Sequence, residues 1–333
     1  MAARKVLTQI APTAWEHPAD RAALNTLRAI PGFDEIVRKI MSLIGERGVR
    51  LLFTANAVRV GPRQYPKLDA DYTEVLEALD WPERPELFVA QTPVANAMAV
   101  GFAKPFIVIN TGALKLLTPE ERRVVLAHEV GHVMSGHATY TTIALLILRL
   151  GFTTIPGLGL IALPVQLALL EWYRKAELSA DRAGMLGTQD PLASMRLFLR
   201  FAGGNPRDDE TSLDEFLVQA REYEMSGTIF DTALKFLNVA FQTHPFATVR
   251  AAELQRWMES GAYERIIGGE YPRRGAADQR PLRDDYAEAA AHYREHARGA
   301  VDQVAAAVKD LSEIVSGAFR NRGGTPPGES PPK

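Results

Sequence analysis

The chain has 333 residues, 47% of them hydrophobic and 23% charged, with a formal net charge of -2. This supports a sizeable core, and the near-balance of charge, with no dominant basic block, argues against nucleic acid as a partner. Cysteine is absent, so there is no disulfide framework, and any bound metal must be held by histidine and carboxylate groups.

Residues 1–16 read as an irregular lead-in without the apolar core of a secretory signal, which predicts a cytoplasmic protein. His17-Pro18 precedes a short helix over Ala19–Ala29, and beside the proline His17 reads as a surface residue. After Pro31-Gly32, residues Ile36, Val37, Ile40, Met41, Ile44 and Leu51 keep helical spacing over Phe33–Thr54. Another helix is predicted over Asp71–Leu79, closed by Trp81-Pro82. Leu87–Ala90, Ala97–Phe102 and Phe106–Ile109 read as three short strands separated by Pro93 and Pro105. Asn96, Ala97, Met98 and Ala99 form the candidate edge, where small side chains leave room for an extended peptide to pair. An ordinary sheet packed on the next helix explains the same pattern.

That helix is the stretch Thr118–His137. Thr118 is placed to cap it, Pro119 suits its first turn, and Glu121 closes a capping box. Within it, His128 and His132 stand four residues apart, one turn along the same face, where two imidazoles can share one ion. Glu129 projects beside them, able to hold a metal-bound water and take its proton, which is the H-E-x-x-H arrangement of a zinc peptidase. Zinc lowers the pKa of such a water towards neutrality and polarises the carbonyl under attack.

Residues 138–170 carry a single charge, Arg149, and read as two short apolar helices joined by a Pro/Gly turn. A buried hairpin and one that dips into a membrane both fit. Glu171–Gly184 returns to a polar helix. There Glu177 is the natural third ligand in a chain without cysteine, and Asp181, one turn on, can accept the free N–H of a metal-binding imidazole. Ordinary acids paired with Arg174 or Arg182 are the plainer reading. Residues 186–270 look helical, broken at Gly203-Gly204-Asn205-Pro206, with a capping pattern over Ser212–Glu215. His244 lies in Thr243-His244-Pro245, where an imidazole can steady an oxyanion or simply introduce a helix. A long helix over 282–319 keeps an apolar seam that can pack along the domain or pair with another chain. The Gly/Pro-rich tail 321–333 is expected to be disordered.

Two histidine patterns are set aside. His292–His296 matches the inverted H-x-x-E-H motif but lies late in a very polar helix, with little chain after it to supply another ligand. His137 misses the third-histidine position of the metzincin pattern by one residue, so it reads as a neighbour of the site.

Taken together, these residues resemble the zinc peptidase family of the CAAX prenyl proteases and the HtpX-like heat-shock membrane proteases. The matching motifs are Asn96-Ala97-Met98-Ala99, Ala127–His132, Glu177-Leu178-Ser179-Ala180-Asp181, and Thr243-His244-Pro245 with Arg250 downstream. The resemblance covers about residues 30–265. It implies one zinc ion on His128, His132 and Glu177, with Glu129 as general base and Asp181 as the partner of His128. It also implies a transition-state role for His244 and a substrate cleft along Asn96–Val100. The expected fold is α+β and predominantly helical, a zincin-like core with a small sheet beside the metal helix. The expected layout is a peptidase domain over 1–270, a helical extension over 271–320 and the tail. The expected activity is cleavage of polypeptides at internal bonds, in protein quality control, with membrane association through 138–170. The alternative is a non-catalytic, zinc-containing module that binds a membrane or a partner.

Overall fold

The computed structural model of the chain describes residues 4–30, 32–150, 162–203, 210–225 and 245–275. His244, the His292–His296 segment, the turn at 151–161 and the elements expected over 282–319 and 321–333 lie outside them.

The lead-in is irregular apart from a 3-10 turn at Pro12–Ala14, and it is anchored by a few buried side chains. Leu7, Ile10 and Trp15 all enter the core, and the Trp15 indole N–H donates to Ser135 Oγ at 3.3 Å. Helices α1 (Pro18–Arg28) and α2 (Phe33–Thr54) follow. Gly45, at φ 61°, kinks α2 in a conformation that favours glycine. His17 corrects the sequence expectation: it is buried, and its Nδ1 accepts from the Ala19 N–H at 3.1 Å as the cap of α1.

Strand β1 (Ala57–Arg59) has no counterpart among the predicted strands. Helix α3 (Pro66–Ala78) starts five residues earlier than expected. Strands β2 (Leu87–Ala90), β3 (Ala97–Val100) and β4 (Phe106–Asn110) sit where the sequence places them. The sheet order is β1-β2-β4-β3, with β2 parallel to β4 and the other pairs antiparallel. Among the described residues β3 is therefore an edge.

Side chains alternate across a strand, and here both faces are covered. Leu87, Val89, Ala97, Ala99, Ile107 and Ile109 join one core. Phe88, Val100, Phe106 and Val108 join the other.

Helix α4 (Thr111–Leu116) leads into α5 (Pro119–Met134), whose capping box is formed as expected: Glu121 N–H donates to Thr118 Oγ1 and Thr118 N–H to the Glu121 carboxylate. Helices α6 (Ala138–Leu150) and α7 (Ala162–Thr188) follow. The apolar and polar stretches expected as separate helices are thus one continuous α7. It spans both cores: Leu169, Trp172 and Ala176 enter one, while Ala183 and Leu186 enter the other. Helices α8 (Pro191–Ala202), α9 (Leu213–Met225), α10 (Ala247–Glu259) and α11 (Ala262–Gly268) complete the first core. The fold is α+β and predominantly helical, as the sequence predicts. Among the described residues no helix is long and apolar enough to cross a membrane.

Helices α5 and α7 approach closely at Gly131, where an added Cβ would sit 2.4 Å from the Cβ of Ala183. Gly131→Ala would gain about 1 kcal/mol in helix propensity. Overpacking of this kind costs about 1–3 kcal/mol, and a contact so short between two helices falls at the upper end. The net expectation is a lower Tm and weaker metal binding, because the change pushes His132 away from Glu177. Thermal melting and metal titration check both.

Candidate metal centre

Helix α5 supplies His128, Glu129 and His132, and α7 supplies Glu177 and Asp181. All five are buried. His132 Nε2 lies 3.1 Å from His128 Nε2 and 3.2 Å from Glu177 Oε1. His128 Nε2 lies 3.5 Å from Glu177 Oε2. Ligands about 2.0–2.2 Å from a tetrahedral zinc ion stand about 3.3 Å from one another, so these donors converge at the spacing an ion needs. Together they form a buried group able to hold a metal.

The far side of each imidazole is engaged elsewhere, which leaves both Nε2 atoms for the ion. His128 Nδ1 faces Asp181 Oδ1 at 3.0 Å. His132 Nδ1 faces His137 Nδ1, also at 3.0 Å. Asp181 takes two bonds from Arg250, Nε to Oδ2 at 2.8 Å and Nη2 to Oδ1 at 2.5 Å. Arg250 Nη2 also stands 3.5 Å from Glu177. Asp181 and Glu177 are thus not the surface acids of the plainer reading. Arg174 pairs with Glu171, and Arg182 bonds to the Trp15 and Glu16 carbonyls.

The protein's own charges shape this cluster. Burial pushes the Glu129 carboxyl up to about 7, opposed by His128 and raised further by Glu177. Burial pulls the His132 imidazole down to about 4. Burial would lower His128 as well, but Glu177 and Asp181 lift it to about 10. Burial opposes ionisation of Asp181, and Arg250 outweighs it, holding the carboxyl below its ordinary range. Without an ion, Glu177 and Asp181 are met by Arg250 and by a proton held on His128, and a divalent cation on the three donors would take that proton's place.

Among the described residues Glu129 Oε2 is buried with no hydrogen-bond partner, and a backbone hydrogen bond from Ala99 favours the charged carboxylate. An unpartnered buried oxygen beside a converging donor set fits a metal centre that also holds a water.

The candidate edge Asn96–Ala99 lies alongside. The Asn96 carbonyl accepts from Asn110 N–H at 2.9 Å. With the alternation of an antiparallel ladder, this turns the main-chain groups of Ala97 and Ala99 away from β4. His137 is a neighbour of the centre through His132, as expected. Arg250 stood out in the sequence only as an arginine after Thr-His-Pro. Asp20, which reaches His137, carried no signal there.

A model of peptidase family M48 matches residues 62–258. The chain is 36% identical over 258 residues to a plastoglobule-localized metallopeptidase 48 of the Arabidopsis thaliana chloroplast, covering 76% of this chain and 74% of that protein. It is 26% identical over 239 residues to a protease HtpX homolog of Methanosarcina acetivorans, covering 62% and 77%. No solved structure matches the chain.

Proposed function

The chain belongs to peptidase family M48 and is a metalloprotease acting on polypeptides, and from that premise we propose that it is a zinc-dependent endopeptidase with Glu129 as its general base. His128, His132 and Glu177 would hold one zinc ion. When bound, the ion supplies Lewis acidity and makes a nearby water acidic enough to react near neutral pH. The observation that carries the reading is the convergence of those three donors beside the unpartnered Oε2 of Glu129.

A buried carboxylate, whose hold on a proton burial strengthens, can take a proton from water and give it back. Glu129 takes the proton of the attacking water on Oε2 and returns it to the leaving amine. Asp181, clamped by Arg250, keeps the His128 proton on Nδ1, which would leave the Nε2 lone pair free for an ion. The substrate lies extended along β3. Ala97 and Ala99 are buried, so this pairing requires the cleft to open first. The role of His244 in steadying the oxyanion stays part of the proposal.

We place the domain over 1–270 in the cytoplasm, in contact with a membrane through 138–170. The nearly uncharged sequence of 138–170 supports that contact. Sedimentation with membranes after a high-salt wash checks it. Self-association through 282–319 and a part in quality control rest on the sequence alone.

The function is tested with zinc-loaded protein and casein. Cleavage at internal bonds, abolished by a chelator and restored by zinc, is expected. Release of terminal residues only would overturn the endopeptidase assignment. Full zinc occupancy without any cleavage would favour a non-catalytic binding module.

A further inference from the structure

A metal-binding imidazole works best when its other nitrogen donates to a fixed acceptor, which sets the tautomer and raises ligand basicity. For His128 that acceptor is a carboxylate, Asp181. For His132 it is another imidazole, since Nδ1 faces His137 Nδ1 at 3.0 Å. His137 can accept there only if its proton sits on Nε2. That nitrogen lies 3.1 Å from Asp20 Oδ2.

Resting on the metal-centre reading above, we propose that Asp20, acting through His137, is the positioning residue for His132.

With His132 Nε2 given to an ion, its proton must sit on Nδ1, and one arrangement of the neighbouring ring then satisfies every contact. His132 Nδ1–H donates to His137 Nδ1, and His137 Nε2–H donates to Asp20. The opposite tautomer of His137 would set two N–H groups against each other and press a lone pair on the carboxylate. Asp20 is itself held: Ser179 Oγ donates to Oδ2 at 2.6 Å, and the Trp172 indole N–H donates to Oδ1 at 2.9 Å. Ser179 in turn accepts the His17 N–H at 2.9 Å. Trp172 also packs edge-on against the His137 ring, centroids 5.6 Å apart. Trp172 and Ser179 lie on α7, the helix that carries Glu177. One helix thus supplies a ligand and aims the carboxylate that orients another. Asp20 precedes the family-matched stretch 62–258, so the centre is completed by a residue outside it.

The test measures zinc affinity by competition with a chromophoric chelator, and the visible spectrum of the cobalt-substituted protein as a second readout. Asp20→Asn is expected to weaken zinc binding about 10–100-fold and to shift the cobalt bands. His137→Phe is expected to do the same. The double variant should bind no more weakly than His137→Phe alone, because Asp20 acts through that ring. His137→Gln, whose amide can accept from His132 and donate to Asp20, should recover most of the affinity. Additive losses in the double variant, or wild-type affinity in folded Asp20→Asn, would overturn the proposal. If Asp20→Asn does not fold, the His137 pair decides: recovery by Gln supports the role, and Gln binding as weakly as Phe overturns it. A wild-type protein that binds no zinc would instead overturn the metal-centre reading itself.

Discussion

Glu129→Gln is expected to lower kcat for casein cleavage by about 10²–10⁴-fold, the range a positioned general base contributes, while the zinc content stays that of the wild type. Glutamine has nearly the same volume, and its amide oxygen can still accept the hydrogen bond from Ala99. It cannot take a proton from water. His128, His132 and Glu177 keep their own partners: Asp181 and Arg250 lie on the far side of His128, and His137 lies behind His132. Substrate affinity should change little, so the loss belongs in kcat rather than in KM. Stopped cleavage assays paired with metal analysis check this. Full activity in a zinc-replete Glu129→Gln protein would remove Glu129 from the chemistry.

Arg250→Met should carry the largest stability cost among these variants. Arg250 is buried, bonds both oxygens of Asp181 and stands against Glu177. Methionine fills much of the volume but leaves the Asp181 and Glu177 carboxylates without their cation. Removing one partner of a buried pair costs about 3–5 kcal/mol. In a chain of this size each kcal/mol moves Tm by about 2–4 °C, so a fall of roughly 6–20 °C is expected. Zinc should narrow the gap, because the ion supplies part of the missing positive charge. Arg250→Lys should fall between the two, since an ammonium keeps the charge but not the fork that grips both carboxylate oxygens. A Tm within a degree or two of wild type in Arg250→Met would show that Asp181 finds its balance elsewhere.

What could be read from the sequence follows from the range of the interactions concerned. The start of helix α5 and its histidine pair were legible because its capping box and the His128–His132 spacing are local, set by one turn of backbone. The same holds for Glu177 and Asp181 on α7. The end of α5 was not legible, since the helix stops at Met134, before a turn at Gly136 with φ 72°, and not at His137. Strand positions followed from apolar runs between prolines, but the order β1-β2-β4-β3 did not, because pairing is long-range. Ala57–Arg59 is too short to show an alternating pattern, so β1 went unseen.

His17 shows why a local reading can fail. Pro18 marks a helix entry, which is what His17 provides, yet α1 docks against α7, and that contact joins residues more than a hundred positions apart. The bonds that bring Asp20 to Trp172 and Ser179 span a similar gap. Arg250 was visible only as an arginine after a histidine and proline. Its partner Asp181 lies 69 residues upstream, a separation at which spacing carries no information about contact.

The central claim is that His128, His132 and Glu177 hold one zinc ion, with Glu129 beside it as a base and not as a ligand. The most direct measurement is the zinc bound per chain in purified wild-type, Glu129→Gln, His132→Ala and Glu177→Ala proteins. The account predicts one zinc per chain in the first two and almost none in the last two under the same dialysis. Retention of full zinc by both His132→Ala and Glu177→Ala, or its loss from Glu129→Gln, would contradict it.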